Sequence, residues 1–115
     1  MAITLNGTSG VTYPAGSTAT VAGVGDGQTW QNVLASRARG TNYTNSTGKP
    51  IQVCISAQNI SAQAMTLTVD GVVAARASLQ GTSGEVNLSA VVPAGAVYRM
   101  DNSASGTIHQ WAELR

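Results

Sequence analysis

From Ile51 onward, apolar and polar residues alternate with a period of two. Ile51, Val53 and Ile55 share one face of residues 51–56. Met65, Leu67 and Val69 share one face of 65–70, with Thr66 and Thr68 opposite, and Val86, Leu88 and Ala90 share one face of 85–90. Successive side chains of a strand point to opposite sides, so the pattern predicts half-buried antiparallel strands with one wet face. Gly, Thr, Ser, Asn and Val dominate the chain, while the helix formers Glu, Lys and Leu are scarce.

The turn signals agree. Asp70-Gly71 can take the positive φ angles of a type I′ turn, which predicts a hairpin over 64–79. Ala74 to Gln80 could pass for a helical turn, but the hairpin signal ahead of it favours a strand. Gly81 to Gly84 reads as a loop, and so does Asp101 to Gly106. Pro93-Ala94-Gly95 reads as a turn with proline at its first corner. Thr107 to Leu114 is the expected last strand. Strands at this spacing predict an all-β, antiparallel β-sandwich of jelly-roll-like kind. Residues 1–27 differ, holding Gly7, Gly10, Gly16, Gly23, Gly25 and Gly27 with only short apolar pairs between them. Such a stretch is too Gly-rich to build a core. It is expected to be an extended N-terminal arm or leader, ahead of a β-sandwich domain over 28–115.

A chain of 115 residues fits one domain. There is no Phe, and much of the apolar content is Ala, so the core is expected to be weak. Oligomerisation is one remedy for a weak core, and an oligomer is expected. The net charge is +1, and Arg37, Arg39, Lys49, Arg76, Arg99 and Arg115 are scattered, which argues against a nucleic-acid partner. So low a charge suits a surface covered by neighbours. The single cysteine, Cys54, lies in an alternating apolar run and reads as a buried thiol. No basic and apolar leader opens the chain, and no apolar run approaches the roughly 20 residues of a membrane helix. Neither a signal peptide nor membrane insertion is expected. The Asn-x-Ser/Thr sequences at Asn6, Asn42, Asn45, Asn59 and Asn87 read as a by-product of composition.

Catalytic chemistry is not visible. The acids Asp26, Asp70, Glu85, Asp101 and Glu113 form no obvious pair, and Asp70 and Asp101 sit in turn-like sequence. The one histidine, His109, cannot supply two ligands to a mononuclear metal. There is no Gly-x-Ser-x-Gly elbow and no phosphate loop opening a helix. The chain is expected not to be an enzyme and to carry no cofactor or metal. Alternation places His109 on one face with Trp111 and Glu113, where it reads as a strand histidine at a subunit contact or on the surface; a metal shared by three copies on a threefold axis is the alternative. Trp30 and Trp111 read as core or interface anchors. Tyr43, with Asn42 and Asn45, falls in a polar segment suited to ligand contact, since an aromatic ring offers an apolar face to a sugar.

Gln28-Thr29-Trp30-Gln31-Asn32-Val33, followed by Ser36-Arg37-Ala38-Arg39-Gly40-Thr41-Asn42-Tyr43-Thr44-Asn45-Ser46-Thr47-Gly48-Lys49-Pro50-Ile51, resembles a domain found at the C-terminus of bacteriophage and prophage tail fibre proteins. The Val92-Pro93-Ala94-Gly95 turn, Tyr98 and the Trp111-Ala112-Glu113-Leu114-Arg115 ending extend the likeness. Gly10-Val11-Thr12-Tyr13-Pro14-Ala15-Gly16 resembles a segment common before such domains. The resemblance implies a trimeric, β-rich tip that touches the host surface, often its polysaccharide, and it implies no catalytic residue. Fibres carry a long shaft before this domain, whereas only residues 1–27 precede it here. A short stand-alone virion part, or a piece cut from a longer fibre, is expected. The leading expectation is a tail fibre protein of the virion acting in host receptor recognition and attachment. The alternative is a small trimeric capsid decoration or head-fibre protein, docked by residues 1–27 to other virion proteins.

Overall fold

A computed structural model describes residues 4–6, 10–12, 23–58, 64–78, 84–102 and 107–115. In chain order its strands are β1 (Thr4–Asn6), β2 (Gly10–Thr12), β3 (Trp30–Asn32), β4 (Asn42–Thr44), β5 (Ile51–Gln58), β6 (Ala64–Val69), β7 (Val72–Ser78), β8 (Glu85–Val92), β9 (Val97–Asn102) and β10 (Thr107–Leu114). One 3-10 turn, Leu34–Ser36, is the only helical element among the described residues. Eight strands form two four-stranded antiparallel sheets. The first has the order β3-β10-β5-β8 and the second β4-β9-β6-β7. Consecutive strands from β3 to β10 change sheet at every step except β6–β7. Within the Gly-rich leader, β1 and β2 pair with each other, Leu5 opposite Val11; most of the expected arm lies outside the described residues.

The alternating residues supply the core. Ile51, Val53, Ile55 and Ala57 of β5, Val86, Leu88 and Val92 of β8 and Trp111 of β10 meet Met65, Leu67, Tyr98 and Met100 of the other sheet. All are buried. In a chain without Phe, Trp111 and Tyr98 are the largest fully buried side chains and fill the volume that several phenylalanines would otherwise take. The expected inward sets of β5, β6 and β8 are the observed ones, with Val69 and Ala90 only partly buried at the margins.

The Asp70-Gly71 hairpin forms as expected, with φ of +47° and +81° at the two corners. Three local expectations need correction. Ala96 N–H donates to Pro93 O at 3.0 Å, so the corners of that turn are Ala94 and Gly95, the latter at φ +79°. Pro93 therefore precedes the first corner, and glycine supplies the left-handed residue. Asp101 and Asn102 belong to β9, because β9 pairs with β6 as far as Asn102–Met65; the remainder of that expected loop, 103–106, and most of the 81–84 loop lie outside the described residues. Third, a bulge between Ile108 and Gln110 interrupts the β10–β5 ladder at His109. One extra residue breaks the period of two. Ile108 thus packs inward and Trp111 still points inward, while His109 is exposed and does not share their face.

Candidate functional site

Six of the residues that carry the tail-fibre resemblance, Arg37, Tyr43, Tyr98, Trp111, Glu113 and Arg115, converge on one polar network. Glu113, on the inner face of β10, is 1% exposed. Arg37, in the segment after the 3-10 turn, grips it with both arms of its guanidinium: Nε donates to Oε2 at 2.9 Å and Nη2 to Oε1 at 3.1 Å. Arg115 Nη1 donates to Oε1 at 3.0 Å, and the Tyr98 hydroxyl donates to Oε2. That hydroxyl accepts from Trp111 Nε1–H at 3.3 Å and from Arg37 Nε at 3.2 Å. The Arg37 guanidinium lies 4.5 Å over the centre of the Tyr43 ring, which meets Trp111 edge-on at 6.0 Å. Ala38 N–H closes the set by donating to the Tyr43 hydroxyl at 2.7 Å.

Burial alone would push the Glu113 carboxyl up. The hydrogen bonds from Arg37 and Tyr98, and the charges of Arg37 and Arg115, outweigh it and hold the carboxyl below its ordinary value. The Tyr98 hydroxyl moves the other way, raised by burial and by the adjacent Glu113 carboxylate. Burial disfavours the Arg37 charge, but Glu113 and Tyr98 overcome it and raise its pKa. Glu113 is therefore held as an anion by donors from Arg37, Tyr98 and Arg115, an arrangement that suits a structural lock.

Other motif positions shape the backbone. Gly40 sits at φ +70° and donates its N–H to Met100 O at 2.7 Å. Asn45 is 2% exposed; its Nδ2 donates to Lys49 O, Val92 O and Pro93 O, and its Oδ1 accepts from the Thr47 N–H and hydroxyl. Gln28 Nε2 donates to Pro50 O at 2.8 Å.

Asn42, Tyr43 and Asn45, expected to contact a receptor together, do not share a surface. The period of two in β4 turns Asn42 outward, where it lines a hollow of about 280 Å³ with Thr68, Asp70 and Arg99. Tyr43 faces the core and is half-buried, and Asn45 is buried with all its polar atoms engaged. Asn45 is thus corrected to a scaffold residue. The proposed contact trio divides too. Trp111 is 0% exposed within one chain, so it belongs to the core and cannot reach a neighbouring subunit. Trp30 is 53% exposed on β3, the edge of the first sheet. His109 is exposed at the β10 bulge, its Nε2 beside Gln58 Oε1.

The outer faces of the two sheets differ in charge. On the second, Arg76, Thr66 and Asp101 lie in one cross-strand row, and Arg99 pairs with Asp101 at 2.8 Å. On the first, the rows Trp30–Leu114–Gln52–Val91, Asn32–Ala112–Cys54–Ser89 and Gln110–Ser56–Asn87 are uncharged, and Glu85 stands beyond them in a row with Gln58 and Thr107. Ser89 Oγ accepts from Gln52 Nε2 at 3.0 Å and lies 3.6 Å from Cys54 Sγ, which is half-exposed instead of buried. A cleft of about 340 Å³ opens on this face between Trp30 and Gln110, floored by Cys54 and Ala112. Period-two reading finds the outward set of β5 and β8, but the cleft depends on β3 joining β10, a pairing with no local signal.

Among the described residues, no group of three or more His, Cys, Asp and Glu side chains could hold a metal ion, and no helix is long and apolar enough to cross a membrane. No family model, curated protein or solved structure matches the chain.

Proposed function

We propose that this chain is a bacteriophage tail fibre protein of the virion that recognises and attaches to a host receptor by binding, without catalysis. One observation carries the reading. Six residues of the tail-fibre pattern, Arg37, Tyr43, Tyr98, Trp111, Glu113 and Arg115, scattered over 79 positions, interlock in one network, and two more, Gly40 and Asn45, fix the backbone at separate points. A pattern of that kind marks a shared framework on which exposed residues vary, as expected of a recognition module. The subunit is read as a jelly-roll-like β-sandwich and the assembly as a homotrimer. Three copies multiply a weak site through effective concentration. The three uncharged rows on the outer face of the first sheet and the exposed Val72, Val73 and Val91 are suited to close approach by other molecules.

Labelled protein incubated with a panel of intact bacterial strains and, separately, with purified phage capsids tests the proposal. Retention on cells of some strains is expected. Retention on capsids with no binding to any cell would replace it with the capsid-decoration reading. Light scattering during size-exclusion chromatography is expected to give three times the 11.7 kDa subunit mass.

A further inference from the structure

We propose that the cleft between Trp30 and Gln110 is a binding site for a neutral sugar ring. The inference deepens the receptor reading, on which it rests for its biological setting, by naming the class of ligand.

Trp30 sits on an edge strand with 53% of its surface open. Its ring borders the cleft, and the small side chains of Ala112 and Cys54 form the floor, so the space beside the indole is unfilled. The cleft measures about 340 Å³, which falls within the roughly 300–1,000 Å³ of small-molecule sites. Neither the Trp30 indole N–H nor the Gln110 side-chain amide is hydrogen-bonded to another described residue. An exposed indole, which carries one N–H donor, and an amide that both donates and accepts therefore line the same concavity.

That combination selects its ligand. A pyranose ring presents a face of C–H groups that stacks on an indole and a rim of hydroxyls that an amide can serve from either end. A phosphate or carboxylate would need a cation, and the lining has none. A purely apolar ligand would cover the Gln110 amide without pairing it, which carries a desolvation cost. The charged outer face of the second sheet, by contrast, carries Arg99 and Asp101 in its hollow's surroundings and is the poorer platform for a neutral ring.

The test is an amide-and-indole NMR titration of the full chain with methyl glycosides of glucose, galactose and mannose, and with glucuronic acid as the anionic control. The Trp30 indole signal is expected to shift with at least one neutral glycoside, while that of buried Trp111 stays put and glucuronic acid has less effect. Trp30→Ala is expected to weaken binding by about tenfold or more, Trp30→Phe less, and Gln110→Ala to an intermediate degree, all at unchanged oligomer mass. No shift of the Trp30 indole with any neutral glycoside would overturn the site. So would a fall in oligomer mass in Trp30→Ala, which would make Trp30 a contact between copies of the chain. If Trp30→Ala still binds cells as wild type does, the cleft is not the receptor site and the attachment function stands. If the glycosides shift Trp30 but no strain retains the protein, the sugar site stands and the attachment function falls.

Discussion

The Tyr98 hydroxyl donates to the Glu113 carboxylate while accepting from the Trp111 indole, so one oxygen joins an anion on β10 to an aromatic two residues away on the same strand. Tyr98→Phe removes that oxygen without changing the ring. A hydrogen bond to a charged group contributes about 1.5–3 kcal/mol, and urea unfolding of Tyr98→Phe is expected to show a loss in that range. Glu113→Ala leaves the guanidinium of Arg37 without its partner and is expected to cost about 3–5 kcal/mol.

Stability should depend on pH through the same pair of groups. The folded Glu113 carboxyl titrates below its ordinary value, so its contribution is present above the unfolded pKa of about 4.3 and is lost as pH falls through the folded value. The folded Tyr98 hydroxyl titrates above its ordinary value, so its contribution is present below about pH 10 and fades as pH rises further. Melting temperatures across pH should trace a plateau with both shoulders. Glu113→Gln should flatten the acid shoulder; an acid shoulder unchanged in that variant would assign acid sensitivity to another carboxylate.

Asn45→Ala removes a buried amide that serves three carbonyl oxygens at once. Pro93 O keeps the Ala96 N–H and Lys49 O keeps the Thr47 hydroxyl as donors, so the penalty falls mainly on the buried Val92 O, and a loss of about 1–3 kcal/mol is expected in chemical unfolding. Asn45→Asp should be no better at neutral pH, because its carboxylate would face the oxygens of Lys49, Val92 and Pro93. Retained stability in Asn45→Ala would mean that the 45–49 turn is held by other bonds.

Gly71→Ala places a side chain at φ +81°. There is open space around that position, so the cost is conformational and should be about 1–2 kcal/mol. Asp70→Asn should be nearly neutral, since asparagine tolerates positive φ and its carbonyl can still accept from the Val97 N–H. Comparison of the two midpoints separates the turn's backbone demand from its side-chain bond.

Much of the framework was readable before any coordinates. Local alternation suffices for β5, β6 and β8, because each buries one face and a period of two reports it directly. Asp70-Gly71 announces its own turn. The short strands β3 and β4 carry no comparable signal, since three residues cannot establish a period and both are held by partners far along the chain. The bulge at His109 inverts a parity count that otherwise works, and nothing local in Thr107-Ile108-His109-Gln110 marks the extra residue. The same distance effect hides the polar network. Arg37, Tyr98 and Glu113 look like surface residues one at a time, and only the meeting of segments 76 residues apart makes a buried acid tolerable. Tyr43 reads as available for contacts because polar residues flank it, and those neighbours face the other side of the strand.

The placement of β10 between β3 and β5 has a consequence for biosynthesis. It is the last of these strands to leave the ribosome, yet it occupies an interior position in the first sheet. Until it emerges, β3 has no partner in that sheet, the backbone groups of β5 on that side are unpaired, and Arg37 waits without its carboxylate. Nascent chains ending anywhere before residue 107 thus present an open β edge over an incomplete apolar interior, the form most prone to join a neighbour. Arrival of the eight-residue β10 closes the edge and the charge network in one step, so a translational pause just before β10 emerges should be more hazardous to this protein than one just after it.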